Sequence, residues 1–253
     1  MKHLHWMIAL LVCMGSNNAA AAVDAALVED LVAANHILVN QGVLDGFGHV
    51  SMRDPRNPQH LLLSRSMAPA LTTAADILEY DLDCNAIDDR SRSGFLERFI
   101  HCEIYRARPD VQAVVHSHSP AVIPFGTGRT ALQALSHVAG FLTAGVPVFD
   151  IRKQYGMTNM LVNDVDRARS LVRTLGDKPV ALMRGHGDVV VGPSLQIAVY
   201  RAIYTEVNAR MQAQALAMGG PVTYLSREEG QMADVTQQGA VSRPWELWKQ
   251  QAR

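Results

Sequence analysis

Two long stretches with helical spacing, residues 24–42 and 194–217, enclose a run of short apolar segments, each stopped within a few residues by proline, glycine or charge. The segments are "HVSMRD" (49–54), "HLLLSR" (60–65), "ILEYDLD" (77–83), "VQAVVHSHS" (111–119), "VPVFDI" (146–151) and the pair inside "PVALMRGHGDVVVG" (179–192). Segments this short, rich in Val, Leu and Ile and bounded by turn residues, read as strands. Amphipathic helices are predicted between them at 97–107, stopped by Pro109, and at 164–176, closed by Gly176. "PAVIPFG" (120–126) reads as a further helix start. Helices at both ends and six or more short strands between them predict one α/β domain built on a mixed sheet.

The 253 residues are 48% hydrophobic and 19% charged, with a formal net charge of −1. That length buries a sizeable core. The near-zero charge gives no electrostatic reason to expect nucleic acid or an anionic membrane as a partner. Residues 1–22 stand apart from the domain: Lys2 is a basic start, Trp6 to Met14 an apolar core, and Ala20-Ala21-Ala22 a cleavage site before Val23. This is the pattern of a secretory signal peptide, so the mature chain is expected to be periplasmic or secreted, with no membrane attachment after cleavage. The domain is expected over 23–230, followed by a polar tail at 231–253 in which Trp245 and Trp248 read as packing residues or tail anchors. Cleavage removes Cys13 and leaves Cys84 and Cys102. Because Cys102 falls among apolar residues of the 97–107 helix, a free buried thiol is expected there rather than a bridge.

The histidines carry the chemistry. In a strand, residues i and i+2 point to the same side, so His116 and His118 present two imidazoles together with Ser117 opposite. A third donor is available in "RGHGD" (184–188), where His186 lies between two glycines that let the backbone come close. Glu97 begins the helix leading into the histidine strand, which brings its carboxylate towards the same place.

Taken in order, "FGHVSMRDP" (47–55), "ERFIHCEIYRARPDVQAVVHSHSP" (97–120) and "ALMRGHGDVVVG" (181–192) resemble the class II aldolase/adducin family across residues 24–227. The resemblance implies a three-layer α/β/α sandwich on a largely antiparallel sheet. It also implies one divalent metal per subunit on His116, His118 and His186, zinc first, with manganese, cobalt or iron as alternatives. Glu97 would be the general acid/base, and His137, in "LSHVAGF", falls where the family's aldolases place a proton donor, although a core histidine fits there equally. A cation drains charge from a developing enolate and a placed carboxylate handles the proton. The resemblance further implies a homo-oligomer, usually a tetramer, in which Tyr224 matches a residue that reaches a neighbouring subunit's site in some members.

The chain departs from the family's sugar-phosphate aldolases. Gly48 and Ser51 are kept, but His49 replaces an Asn, and Phe95 and Leu96 replace two serines that bind phosphate. Bulky apolar side chains donate no hydrogen bond to a phosphate. The segment around Ser64, Arg65 and Ser66 instead resembles the family's decarboxylase branch, which acts on hydroxylated aromatic dicarboxylates. Arg65 and Arg184 are the candidate carboxylate-binding cations, since guanidinium grips a carboxylate bidentately; for Arg65 a surface charge is the equal reading. The expected function is therefore a metal-dependent carbon–carbon lyase, acting on a small hydroxylated carboxylate by decarboxylation. The alternatives are an aldolase or epimerase on an unphosphorylated sugar or hydroxy-keto acid, and a non-enzymatic adducin-like binding domain.

Overall fold

In the computed structural model, residues 24–87 and 91–252 are described; the leader expected at 1–22 lies outside them. The chain opens with helix α1 (Ala25–Asn40), started by the Asp24 side chain accepting from the Ala26 N–H. Its Leu31, Ala34, Ile37 and Leu38 recur at helical spacing and are buried. Strands β1 (His49–Arg53), β2 (His60–Ser64) and β3 (Ile77–Asp81) form an antiparallel meander. Helix α2 (Phe99–Ala107) leads into β4 (Ala113–Ser117), which returns to the sheet beside β1. Short α3 (Ile123–Thr127), β5 (Val148–Phe149), α4 (Arg152–Tyr155) and α5 (Val165–Leu175) precede the hairpin of β6 (Val180–Met183) and β7 (Gly187–Gly192). Helix α6 (Leu195–Ala217), α7 (Arg227–Ala240) and α8 (Ser242–Gln251) complete the chain.

The seven strands run in the order β3-β2-β1-β4-β7-β6-β5, antiparallel except for the β5–β6 pair. Alternate side chains sort onto the two faces. Val50, Met52, Leu62, Val115, Leu182 and Val190 join α1, α6 and α8 in one core, whereas Leu61, Leu63, Val114, Ala181, Val189 and Val191 join α2 and α5 in the other. This is the expected three-layer sandwich. Among the described residues, no helix is long and apolar enough to cross a membrane.

Two expectations are corrected here. The segment 231–253 is no loose tail: α7 and α8 pack on the domain, Trp245 and Trp248 are buried in the first core, and Lys249 bridges to Asp30 of α1 at 2.7 Å. Its polar composition reflects one wet side of each helix, while the two tryptophans, three residues apart, share the other. Cys84 and Cys102 are not free thiols but a disulfide, with Cα atoms 5.9 Å apart. The turn after β3 lays Cys84 against α2, a proximity that the helical position of Cys102 does not reveal.

Candidate active site

Sheet register assembles the site. His49 of β1 pairs with His116 of β4, and Ser117 pairs with Asp188 of β7. The β6–β7 turn brings His186 against the end of β4 because Gly187 permits it: a Cβ there would lie 1.8 Å from the Ser117 carbonyl oxygen. Gly48 is equally constrained, with φ +84° and a would-be Cβ 2.9 Å from the His116 carbonyl oxygen. As the strand period demands, His116 faces α2, whereas Ser117 turns to the opposite face and hydrogen-bonds Asp188 at 2.5 Å.

Donor atoms of Glu97, His116, His118 and His186 all lie within 4.8 Å of one another. His116 Nδ1 donates to the Asp188 carbonyl oxygen at 2.9 Å, which orients the ring and leaves Nε2 directed at the cluster. That Nε2 is buried without a hydrogen-bond partner, and so is His186 Nδ1. The Val162 N–H donates to Glu97 Oε1 at 2.8 Å, while Oε2 stands 3.5 Å from His116 Nε2 and 3.3 Å from His186 Nε2. Burial alone would raise the Glu97 carboxyl, but the adjoining His116 and His186 rings outweigh it and hold the group well below the carboxylate range. Burial, then the charges of His116 and His186, lowers His118 to about 4. Buried polar atoms are nearly always paired, and convergent imidazoles and a carboxylate with an orphaned nitrogen are a donor set that fits a divalent cation. His116, His118 and His186, with Glu97 beside them, are the residues that would hold it.

Glu97, His116 and His118 of the cluster floor a cleft of about 500 Å³, lined by Phe47, Gly48, His49, Ser66, Phe95 and Leu96 among others. No lysine or arginine lines it among the described residues. Phe47 and Leu96 stand at its mouth, 68% and 63% exposed, and the Phe47 ring lies 6.0 Å from that of His118.

Of the residues singled out in the sequence, Glu97, His116, His118, His186, Gly48, His49 and Ser66 come together here. The rest do not. Arg65 is held by Asp76 at 2.7 Å and Arg184 by Asp150 at 2.7 Å, so each guanidinium already has a carboxylate and neither lines the cleft. Ser64 is buried in β2, His137 is exposed at the start of a 3₁₀ segment (His137–Ala144), and Tyr224 accepts from Gln212 Nε2 at 3.2 Å. Ser51 sits behind the wall in a buried chain: His49 Nδ1 to His101 Nε2 at 2.6 Å, His101 Nδ1 to Ser51 Oγ at 2.6 Å, and Ser51 Oγ to Tyr105 Oη at 2.8 Å. Burial first, then neighbouring histidine charge, lowers His49 well below its usual value and His101 to about 3. Sequence reasoning missed His101 and Tyr105. Their signal was the i, i+4 pair of polar-headed rings on the buried face of α2, opposite the i, i+2 pair His49 and Ser51.

Comparison with known proteins agrees with this geometry. Residues 29–213 match the description "Class II Aldolase and Adducin N-terminal domain". The chain is 35% identical over 244 residues to decarboxylase tropJ of Talaromyces stipitatus, covering 87% of this chain and 92% of that protein. It is 31% identical over 236 residues to the 3,4-dihydroxyphthalate decarboxylase of Arthrobacter keyseri, covering 87% and 90%. Among solved structures, an L-fuculose 1-phosphate aldolase from Glaciozyma antarctica superposes with a TM-score of 0.73 at 24% identity, covering 89% of this chain and 88% of that one; at that identity the likeness speaks for the fold alone.

Proposed function

The chain belongs to the class II aldolase and adducin family and is a lyase, and from that premise we propose that it removes carbon dioxide from a small hydroxylated aromatic carboxylate. The observation that carries this reading is the wall of the cleft. Phe47, Phe95, Leu96 and Leu161 line the cleft together with Glu97, His116 and His118, a slot that accepts the faces of an aromatic ring. Phe95 and Leu96 stand where phosphate-binding members need hydroxyls, so a sugar phosphate has little to hold it. The named activities of the decarboxylase relatives support the same substrate class.

A divalent ion on His116, His118 and His186 supplies Lewis acidity to a substrate oxygen, drawing off the charge that develops as the bond to the departing carboxylate breaks. The protein does the rest. The apolar walls orient the ring and exclude water from the carbon that loses its carboxylate. Glu97 is anchored through Oε1 by the Val162 N–H, which keeps Oε2 directed at the centre of the cluster. That carboxylate accepts the proton of the substrate hydroxyl and returns a proton to the vacated ring carbon; the product oxygen is reprotonated from solvent, so one proton is taken up for each carbon dioxide released.

We propose further that the ion is zinc, since an imidazole-rich set with a carboxylate suits it, with manganese, cobalt and iron as alternatives. Export to an oxidising compartment is supported by the Cys84–Cys102 bridge. Assembly as a homotetramer is supported by the apolar cleft mouth, which a second subunit would cover, and by Tyr224 lying away from its own subunit's cleft. The function is tested by supplying zinc-loaded protein with 3,4-dihydroxyphthalate and, separately, L-fuculose 1-phosphate, and following carbon dioxide and aldehyde release. Carbon dioxide from the aromatic acid alone is expected; aldehyde from the sugar phosphate alone would overturn the reading.

A further inference from the structure

The cleft presents no cationic side chain among the described residues, yet the proposed substrate is an anion. The buried chain behind β1 supplies a donor of another kind. Each neutral ring donates from one nitrogen and accepts at the other, and Ser51, whose two side-chain partners are His101 and Tyr105, places its own proton by donating to one and accepting from the other, so the four groups run in a single direction. Tyr105 Oη has Ser51 Oγ as its side-chain partner and is buried. If the chain ran from His49 towards Tyr105, the hydroxyl proton of Tyr105 would be left without an acceptor among the described contacts. Run from Tyr105, every proton has a place: Tyr105 donates to Ser51, Ser51 donates to His101 Nδ1, and His101 Nε2–H donates to His49 Nδ1. The His49 ring, tilted against Phe95 with centroids 4.4 Å apart, is then left with its proton on Nε2, on a ring that lines the cleft; among the described residues its hydrogen bond is the one through Nδ1.

We infer that His101 is a positioning residue which, with Ser51 and Tyr105, locks His49 as a neutral Nε2–H donor to an anionic oxygen of the substrate, a carboxylate or a phenolate. This deepens the proposed function and rests on its substrate class for the identity of the acceptor, but not for the tautomer.

The tautomer is therefore tested without substrate. Full-length protein labelled with ¹⁵N-histidine and loaded with diamagnetic zinc is examined by NMR, the His49 and His101 rings being assigned by their loss in His49→Gln and His101→Gln. Both rings are expected to carry the proton on Nε2 with a bare Nδ1; a proton on His49 Nδ1 would overturn the inference. In His101→Phe, His49 is expected to show a mixture of tautomers, and an unchanged His49 spectrum would remove the positioning role. Should the His101 variants fail to fold, Ser51→Ala reports the same release through the His101 signals. Calorimetry with 3,4-dihydroxybenzoate then reads the donor. His49→Phe is expected to weaken binding about tenfold or more, whereas His49→Gln, which keeps an N–H, stays within about threefold of wild type. Equal losses in the two would overturn the donor role. Absence of binding to wild type would instead count against the substrate class, with the tautomer still deciding the relay.

Discussion

Two groups of buried polar side chains adjoin where β1 meets β4, and they differ in how their hydrogen-bonding capacity is used. In the chain His49–His101–Ser51–Tyr105 each inward-facing polar atom is matched to another at 2.6–2.8 Å. In the cluster beside it, His116 Nε2 is orphaned, Glu97 Oε2 meets its histidines only at 3.3–3.5 Å, and the one close contact sets His186 Nε2 against His118 Nε2 at 3.1 Å. Paired groups fix positions, because each fills the other's valence and neither gains from moving. Unpaired convergent groups are costly to fold around, and a protein retains such an arrangement where something else completes it. The first group is read as scaffold for the site and the second as the site.

The comparison is tested most severely at Glu97. Glu97→Gln retains an acceptor for the Val162 N–H but removes the charge and the base, and turnover should fall by roughly 10²–10⁴. Turnover that stays within about tenfold of wild type in the folded variant would place Glu97 with the scaffold instead. Ser51→Ala should behave the other way, costing about 1–3 kcal/mol in denaturant unfolding because it orphans His101 Nδ1 and the Tyr105 hydroxyl. A neutral result would show that the chain is not the support described here.

A third network, Asp76 with Thr73, Arg65 and Arg92, extends the scaffold category to a residue that sequence reasoning assigned to substrate binding. Hydrogen bonds from Thr73, opposed by burial and aided by Arg65, hold the Asp76 carboxyl at about 2 against an ordinary 3.8. Its folded value lies below its unfolded one, so the stabilisation is present above pH 3.8 and is lost as pH falls towards 2. Relative to Asp76→Asn, the wild type should be more stable by about 1–2 kcal/mol near neutrality and should lose that advantage between those limits, measured by urea unfolding across pH. An advantage that persists at the acid end would mean that Asp76 does not act through its charge. The smallest effect is expected at the rim: Phe47→Ala should leave stability within about 0.5 kcal/mol while weakening aromatic-acid binding severalfold, about 1 kcal/mol for a lost ring contact, by calorimetry. A change in folding without a change in binding would move Phe47 from the cleft to the core.

What could be read in the sequence follows the range over which each signal acts. His116 and His118 were legible because a strand repeats every two residues, and His186 because glycines flank it. Glu97 and the sandwich came from motif order. The ion pairs of Arg65 and Arg184 were not legible because their partners are remote: Asp76 lies eleven residues on, across a turn, and Asp150 thirty-four residues back, just after β5. His101 was hidden because a buried polar ring within an amphipathic helix looks like any other helical residue until β1 is laid beneath it. Cys102 was hidden for the same reason. In the C-terminal segment Trp245 and Trp248 were legible as anchors, and they decide where α8 packs, whereas the many polar residues around them hid the helices that carry them.

The central claim, that the unpaired cluster is completed by a metal, is tested most directly by elemental mass spectrometry on untagged protein purified without added metal or chelator, beside His116→Ala and His118→Ala. One divalent ion per chain in the wild type, absent from both variants while their circular dichroism is unchanged, is the predicted result. Wild-type protein that is folded, metal-free and unable to take up zinc would contradict the account.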